Sequence, residues 1–236
     1  MDIWQIEAAK EFKAFLNNFI ETKKVELAGS ILEPDLLDVY SDVDVKISLL
    51  DSNSLDLKKF LNALAERFSP VFGYEFFKNE NNDVLRVCFE NGWRFDLTFI
   101  YPELREPDIE NSSFTDKVDS VINKFWFIAV FVLVKLGRKD NLVASHHVLE
   151  LCQLIIVIQM IIRDNVKNTE MHRFGNSEDV PILHKLAGSS KIKCEDEVLF
   201  ILYQAAEHMD KVSSSFNKNV NQTNKLKEIQ SSLKVK

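Results

Sequence analysis

Val25-Glu26-Leu27-Ala28-Gly29-Ser30 and, about a dozen residues on, Asp42-Val43-Asp44-Val45-Lys46-Ile47 are the two runs whose reading decides the fold. The first is a short apolar run, Val25 to Ala28, that ends in Gly-Ser. The second alternates polar and apolar residues, the period-two signature of a half-buried strand. Residues two apart on a strand share a face, so Asp42 and Asp44 project together while Val43, Val45 and Ile47 face a core. Two adjacent carboxylates repel each other. They are either solvated acids at a polar strand entry, as is common on surfaces, or oxygen ligands of a divalent cation. Mg²⁺ suits the second reading, since it takes one or two carboxylates, several waters and substrate phosphates. Gly29 lets the backbone approach a phosphate closely, and Ser30 offers it a hydroxyl and an N–H. A helical turn opening at Ser30 would add further free N–H groups to such an anion site.

This pattern of strand, Gly-Ser, loop and Asp-x-Asp resembles the nucleotidyltransferase superfamily of the polymerase-beta type. The resemblance implies a third carboxylate on a later strand, and Trp93-Arg94-Phe95-Asp96-Leu97-Thr98-Phe99-Ile100 supplies one. Phe95, Leu97 and Phe99 share the apolar face, while Asp96 sits on the other with Arg94 and Thr98. An acid in the middle of so apolar a strand needs a reason, and metal ligation or base catalysis gives one.

At 236 residues, 46% hydrophobic and 28% charged, the chain has the composition of an ordinary soluble globular protein with ample core. A net charge of -7 and a pI near 5.3 argue against nucleic acid as a partner and suit a cationic substrate. Cys88, Cys152 and Cys194 are widely spaced and odd in number, as reduced thiols are, and no Cys/His cluster has zinc spacing. The N-terminus lacks signal-peptide character. The longest apolar runs, Phe125 to Val134 and the one around Leu154 to Met160, are read as too short to span a bilayer. The expectation is a cytoplasmic protein with no membrane partner.

In chain order, Ile3, Ile6, Phe12, Phe15, Leu16, Phe19 and Ile20 predict an amphipathic helix over residues 3–23. The loop 31–40 carries Glu33, Asp35 and Asp38, either solvated or a rim near a cationic substrate. Strand two is expected over 42–50. Asp51-Ser52-Asn53-Ser54 offers helix N-caps, and Leu57, Phe60, Leu61, Leu64 and Phe68 continue the helix that follows. Strands are expected over 71–77, 84–90 and 93–101, with a polar turn at 79–83. Asn91-Gly92 is the dipeptide preferred in a type I′ hairpin turn.

Prolines and acids fill 102–113, which places a domain boundary there. From Thr115 the pattern turns helical. Phe125 to Val134 is apolar all round, as in a buried central helix. Lys124 and Lys135 fall on one face of it, with Arg138 nearby. Lys135 either caps or snorkels at the helix end, or reaches a triphosphate. A second helix is expected over 141–164. His146 and His147 point about 100° apart and read as packing or surface residues; His172, His184 and His208 have no partner spacing. The stretch 165–191 is mixed, 195–214 is a last helix, and the tail from Ser215 is polar and reads as a frayed end.

The fold class expected is therefore α+β: a small mixed-sheet domain over 1–110, then a helical bundle over 111–236. This layout resembles the aminoglycoside adenylyltransferases, streptomycin-type 6-adenylyltransferases above all, which carry a Phe-Trp pair opening a long helix with Lys and Arg toward its end. Phe125-Trp126, Lys135 and Arg138 match them; Ile31 stands where many relatives carry a basic or aromatic residue. The resemblance implies a Mg²⁺-dependent enzyme with two ions held by Asp42, Asp44 and Asp96. Asp96 would complete the metal site or accept the hydroxyl proton. Gly29, Ser30, Lys135 and Arg138 would bind a nucleoside triphosphate, and a nucleoside monophosphate, AMP from ATP, would pass to a small cationic acceptor such as an aminoglycoside. The same superfamily also includes toxin-antitoxin components and partner-binding modules acting on protein or RNA. The acceptor, the preferred base and the oligomeric state are not written in these residues.

Overall fold

Val43, Val45, Ile47 and Leu49 are buried and the residues between them are not, so β2 (Val43–Leu49) is one-faced, as its alternation requires. It is the second strand of a five-stranded sheet ordered β1-β2-β5-β4-β3, with β1 Thr22–Ala28, β3 Val71–Lys78, β4 Asn82–Phe89 and β5 Arg94–Ile100. The computed structural model describes residues 4–33, 35, 37–51, 55–105, 113–167, 194–216 and 221–233. β2 and β5 run parallel; β1–β2, β5–β4 and β4–β3 are antiparallel. The fold is α+β, with a helical C-terminal part. Two compact units divide the chain, Met1–Glu110 and Asn111–Lys236.

In the first unit, α1 (Trp4–Phe19) and α2 (Leu57–Arg67) supply Phe12, Leu16, Phe60 and Leu64 to a core with Val43, Val45, Ile47, Phe95, Leu97 and Phe99. Aromatic rings tie it together: Phe12 meets Phe95 at 5.0 Å, and Phe60 meets Phe99 edge-on at 5.4 Å. The helices thus cover one face, and the polar residues of β2 and β5 lie on the other.

Several local expectations change. α1 is rotated from the apolar count: Ile6 is exposed, while Gln5, Ala8 and Ala9 are buried. Small side chains let the helix approach the sheet, and the buried Gln5 uses its amide N–H groups on two loop carbonyls, Asp38 O and Ser41 O. Ile3 lies outside the described residues, as do 52–54. The cap of α2 is Asp56, whose carboxylate accepts from Lys59 N at 3.0 Å. The 90–92 connection is not type I′. Gly92 has φ +84 and Asn91 does not share the positive φ. Gly92 N donates to Phe89 O and Phe89 N to Trp93 O, each at 2.9 Å, a three-residue loop with glycine in the left-handed position. Asp83 belongs to β4 rather than a turn, buried and bonded by Tyr101 Oη at 2.6 Å and Arg105 Nη2 at 2.5 Å.

In the second unit, Ser113 and Asp116 form a capping box that starts α3 (Phe114–Gly137). α4 (Asn141–Lys167) follows after a three-residue connection in which Lys139 has φ +60. These helices correct the expectation from apolar run length. Counted whole, α3 and the 141–166 stretch of α4 are long and apolar enough to cross a membrane, with mean hydropathies of 1.7 and 1.6. α3 is 61% buried over that window, the burial of a core helix; α4 is 28% buried and exposes Leu142, Leu149, Val157 and Val166. α5 (Glu195–Ser215) buries Val198, Leu202 and Met209.

The polar tail also holds structure. Residues Gln222–Ser232 form α6, which buries Leu226 and Ile229. Asp210 of α5 starts it by accepting from Gln222 N and Thr223 N at 3.0 Å each and from Thr223 Oγ1 at 2.6 Å. Most of the stretch read as mixed, residues 168–191 with His172 and His184, lies outside the described residues.

Candidate active site

The register of the sheet decides which side chains meet. Ala28 pairs with Asp44, Asp44 with Asp96, Asp96 with Arg86 and Arg86 with Glu75, so one rung across five strands carries four charged residues. At its β1 end the chain turns sharply: Gly29–Leu32 forms a single 3-10 turn, and Gly29 has φ +65. A Cβ placed on Gly29 would lie 1.9 Å from Asp44 Oδ2 and 2.8 Å from its Cγ. Glycine is thus required twice, by its backbone angle and by the carboxylate that fills the space a side chain would take. The Gly-Ser and the second acid of Asp-x-Asp are in direct contact. Ser30 is half-buried, its carbonyl accepting from Glu33 N at 3.0 Å. Ile31 packs partly buried against the core, which gives an apolar residue a reason to follow Gly-Ser.

Crowding sets the electrostatics. Burial, then the charges of Asp42 and Asp96, push Asp44 up to about 6, against the pull of Arg86 and Lys46. Burial likewise raises Asp96, opposed chiefly by Arg86, whose Nε donates to Asp96 Oδ2 at 2.9 Å. Arg86 is therefore the counter-charge of the acidic rung. The oxygens of Asp42, Asp44 and Asp96 do not all come within 4.8 Å of one another. The donor set is nonetheless wholly carboxylate oxygen, the chemistry that Mg²⁺ prefers, and it is short of positive charge.

Three residues that matter here are not legible in the sequence. Ser41 O, the carbonyl immediately before Asp42, accepts from Gln5 Nε2 at 2.9 Å and from Arg94 Nη2 at 3.1 Å. Gln5 Nε2 also reaches Asp38 O at 2.7 Å, and Arg94 Nη1 reaches Gly92 O at 2.7 Å. Both side chains are buried, and Arg94 lies 5.7 Å over the Trp4 ring. They clamp the entry to Asp-x-Asp. Alternation placed Arg94 on the polar face of its strand but not in a buried clamp. Gln5 could have been suspected only from its spacing to Ala8, Ala9, Phe12 and Leu16 on one helical stripe. Arg86, the third, is half-exposed on β4, and nothing in its local sequence pairs it with Asp96 ten residues on. Asp38 is a loop-former: its Oδ1 accepts from Tyr40 N and Ser41 Oγ at 3.0 and 2.9 Å.

Lys135 and Arg138 belong to the helical unit. Lys135 is half-buried in the last turn of α3, and Arg138, its C-cap, is exposed and donates its N–H to Val134 O at 3.2 Å. Lys124 and Lys135 both bear on α4, Lys124 Nζ lying 3.1 Å from Glu150 Oε1. His146 and His147 are closer than their helical angle implies, with ring centroids 5.6 Å apart. Cys88 and Cys152 are buried, and burial pushes Cys88 up to about 12, an inert thiol; Cys194 is exposed, not packed.

No protein-family model matches this sequence, and no curated protein sequence does. Among solved structures, the chain is similar to an aminoglycoside 6-adenyltransferase from Bacillus subtilis at 14% identity, covering 98% of this chain and 99% of that one, with a TM-score of 0.38. It is also similar to a STING-associated CdnE c-di-GMP synthase from Capnocytophaga granulosa at 15% identity, covering 98% and 78% respectively, with a TM-score of 0.28.

The chemistry of the site is specific. A bent Gly-Ser turn lies against a carboxylate, beside a second acid across a parallel strand pair and a third two residues upstream. Such a site can hold a divalent cation and present a hydroxyl and backbone N–H groups to a phosphate next to it.

Proposed function

We propose that the N-terminal unit binds a nucleoside triphosphate with Mg²⁺ and that the chain transfers a nucleoside monophosphate, AMP from ATP, to a hydroxyl of a small cationic acceptor such as an aminoglycoside. The observation that carries this reading is the seat of Gly29 on the Asp44 carboxylate, with Asp96 as its register partner. Solvated acids at a strand entry would have no need of a glycine cut to their shape.

Asp42, Asp44 and Asp96 would hold the cations, two in number on this reading, which when bound polarise the phosphoryl oxygens. Ser30 Oγ and the Gly29 backbone would hold the β- and γ-phosphates. Asp96, with its proton affinity raised by burial, accepts the proton of the acceptor hydroxyl as that oxygen bonds to the α-phosphorus and the bond to pyrophosphate breaks. Arg86, paired with Asp96 at 2.9 Å, keeps that carboxylate oriented and its charge balanced. A role for Lys135 in neutralising the departing pyrophosphate, and for Arg138 in nucleotide binding, rests on the sequence resemblance. The net charge of -7 suits a cationic acceptor.

Incubation with α-labelled nucleoside triphosphates, Mg²⁺ and a panel of aminoglycosides tests the reading. Label should move to an acceptor in the native protein and stay in the nucleotide with folded Asp42→Ala or Asp44→Ala. Transfer retained in both variants would overturn the assignment.

A further inference from the structure

The helical unit carries a second cluster of ligating groups, unrelated to the acidic rung. Among the described residues, His146, His147 and Glu150 bring one ligand atom each within 4.8 Å of one another, all from α4. The spacing explains how. Glu150 follows His146 by four residues and His147 by three, so both rings lie one turn below the same carboxylate. Glu150 Oε2 lies 3.5 Å from His147 Nδ1, while Oε1 is held at 3.1 Å by Lys124 Nζ from α3. A tetrahedral Zn²⁺ with bonds of about 2.0–2.2 Å spaces its ligand atoms about 3.3 Å apart, so this edge is already near the length required.

Two further features fit a metal rather than an ordinary ion pair. His147 Nδ1 is buried and makes no hydrogen bond, and its 3.5 Å approach to Glu150 Oε2 is an ion pair only when the ring is protonated, so in the neutral ring this atom is left to be satisfied. The Phe131 ring stands edge-on to the imidazole at 6.2 Å and limits its movement. The Lys124 contact takes one carboxylate oxygen and orients the other toward the rings, as outer partners of metal ligands do.

We propose that His146, His147 and Glu150 form a site for a borderline divalent transition metal, Zn²⁺ in the first place, with its remaining position open to water. Two imidazoles and one carboxylate select Zn²⁺ and its neighbours over Mg²⁺.

The test titrates untagged, metal-free full-length protein with Zn²⁺ against a chromogenic chelator. It compares the native chain, His146→Ala, His147→Ala, and a double Asp42→Asn/Asp44→Asn variant that removes the other cation candidate. One Zn²⁺ should bind per chain, survive in the double aspartate variant and weaken more than about tenfold in each histidine variant. His146 is exposed, so its variant decides the matter if His147→Ala fails to fold. Absence of Zn²⁺ binding, binding unchanged by His146→Ala, or binding lost only in the aspartate variant would overturn the site.

Discussion

At the scale of single residues, Gly29 and Asp44 are fitted to each other. Gly29→Ala must place a Cβ 1.9 Å from Asp44 Oδ2 at a φ of +65, so either the carboxylate or the turn has to move. The expected result is a loss of about 1 kcal/mol or more in unfolding free energy, together with the loss of any nucleotide-dependent stabilisation, both read from denaturant melts. Asp44 makes a second prediction. A free aspartate titrates near 3.9, and here it is pushed up to about 6. The folded state therefore holds this proton more tightly than the unfolded chain does. That contribution is complete below about pH 4 and is lost as pH rises through about 6. Asp44→Asn cannot lose a proton, so without added metal it should unfold at a higher temperature than the native protein above about pH 7. The difference should fade toward pH 4 in parallel thermal scans, and equal melting temperatures throughout would contradict it. At this scale the sequence marked Gly29, Ser30, Asp42 and Asp44 as candidates because Gly-Ser and paired acids are locally out of place, and Asp96 because an acid interrupts an apolar strand; the register brings Gly29, Asp44 and Asp96 together. It could not show Gln5, Arg86 or Arg94, whose parts depend on partners 36, 10 and 53 residues away.

At the scale of elements, legibility followed the strength of the periodicity. β2 and β5 alternate strictly and fold where they read as strands, side by side and parallel. Their boundaries shifted by a residue or so, which pattern alone does not define. The hairpin dipeptide Asn91-Gly92 misled about turn type because a three-residue loop also places glycine in the left-handed position. The C-terminal helix was missed for a different reason. Its residues are polar enough to read as a tail, and it is started from outside by Asp210 of α5. Asp210→Ala should leave the N–H groups of Gln222 and Thr223 without that carboxylate. The cost should be of order 1–2 kcal/mol, with faster amide exchange over 222–233 than elsewhere in the helical unit. Uniform exchange across α5 and α6 would show that the cap is dispensable.

At the scale of the whole molecule, the chain joins an acidic, sheet-based unit to a helical one, and its overall charge of -7 makes the positive charge held at the site all the more telling. Arg86 answers one carboxylate of the rung directly, and Arg86 and Lys46 together leave Asp44 well above its ordinary range. A bound cation would answer the remainder, and a triphosphate would bring the phosphate oxygens that complete the cation's shell. Folding stability should then be linked to nucleotide and Mg²⁺ together rather than to either alone. The most direct measurement is thermal unfolding of the native protein and of Asp44→Asn with ATP, GTP, CTP or UTP, each with and without Mg²⁺. The expected result is a rise in melting temperature that requires both Mg²⁺ and one preferred nucleotide, about 2.7 kcal/mol of stabilisation at 100-fold excess over Kd, and that disappears in Asp44→Asn. No rise with any nucleotide, or an equal rise in the variant, would contradict a nucleotide site built on Gly29, Asp42, Asp44 and Asp96.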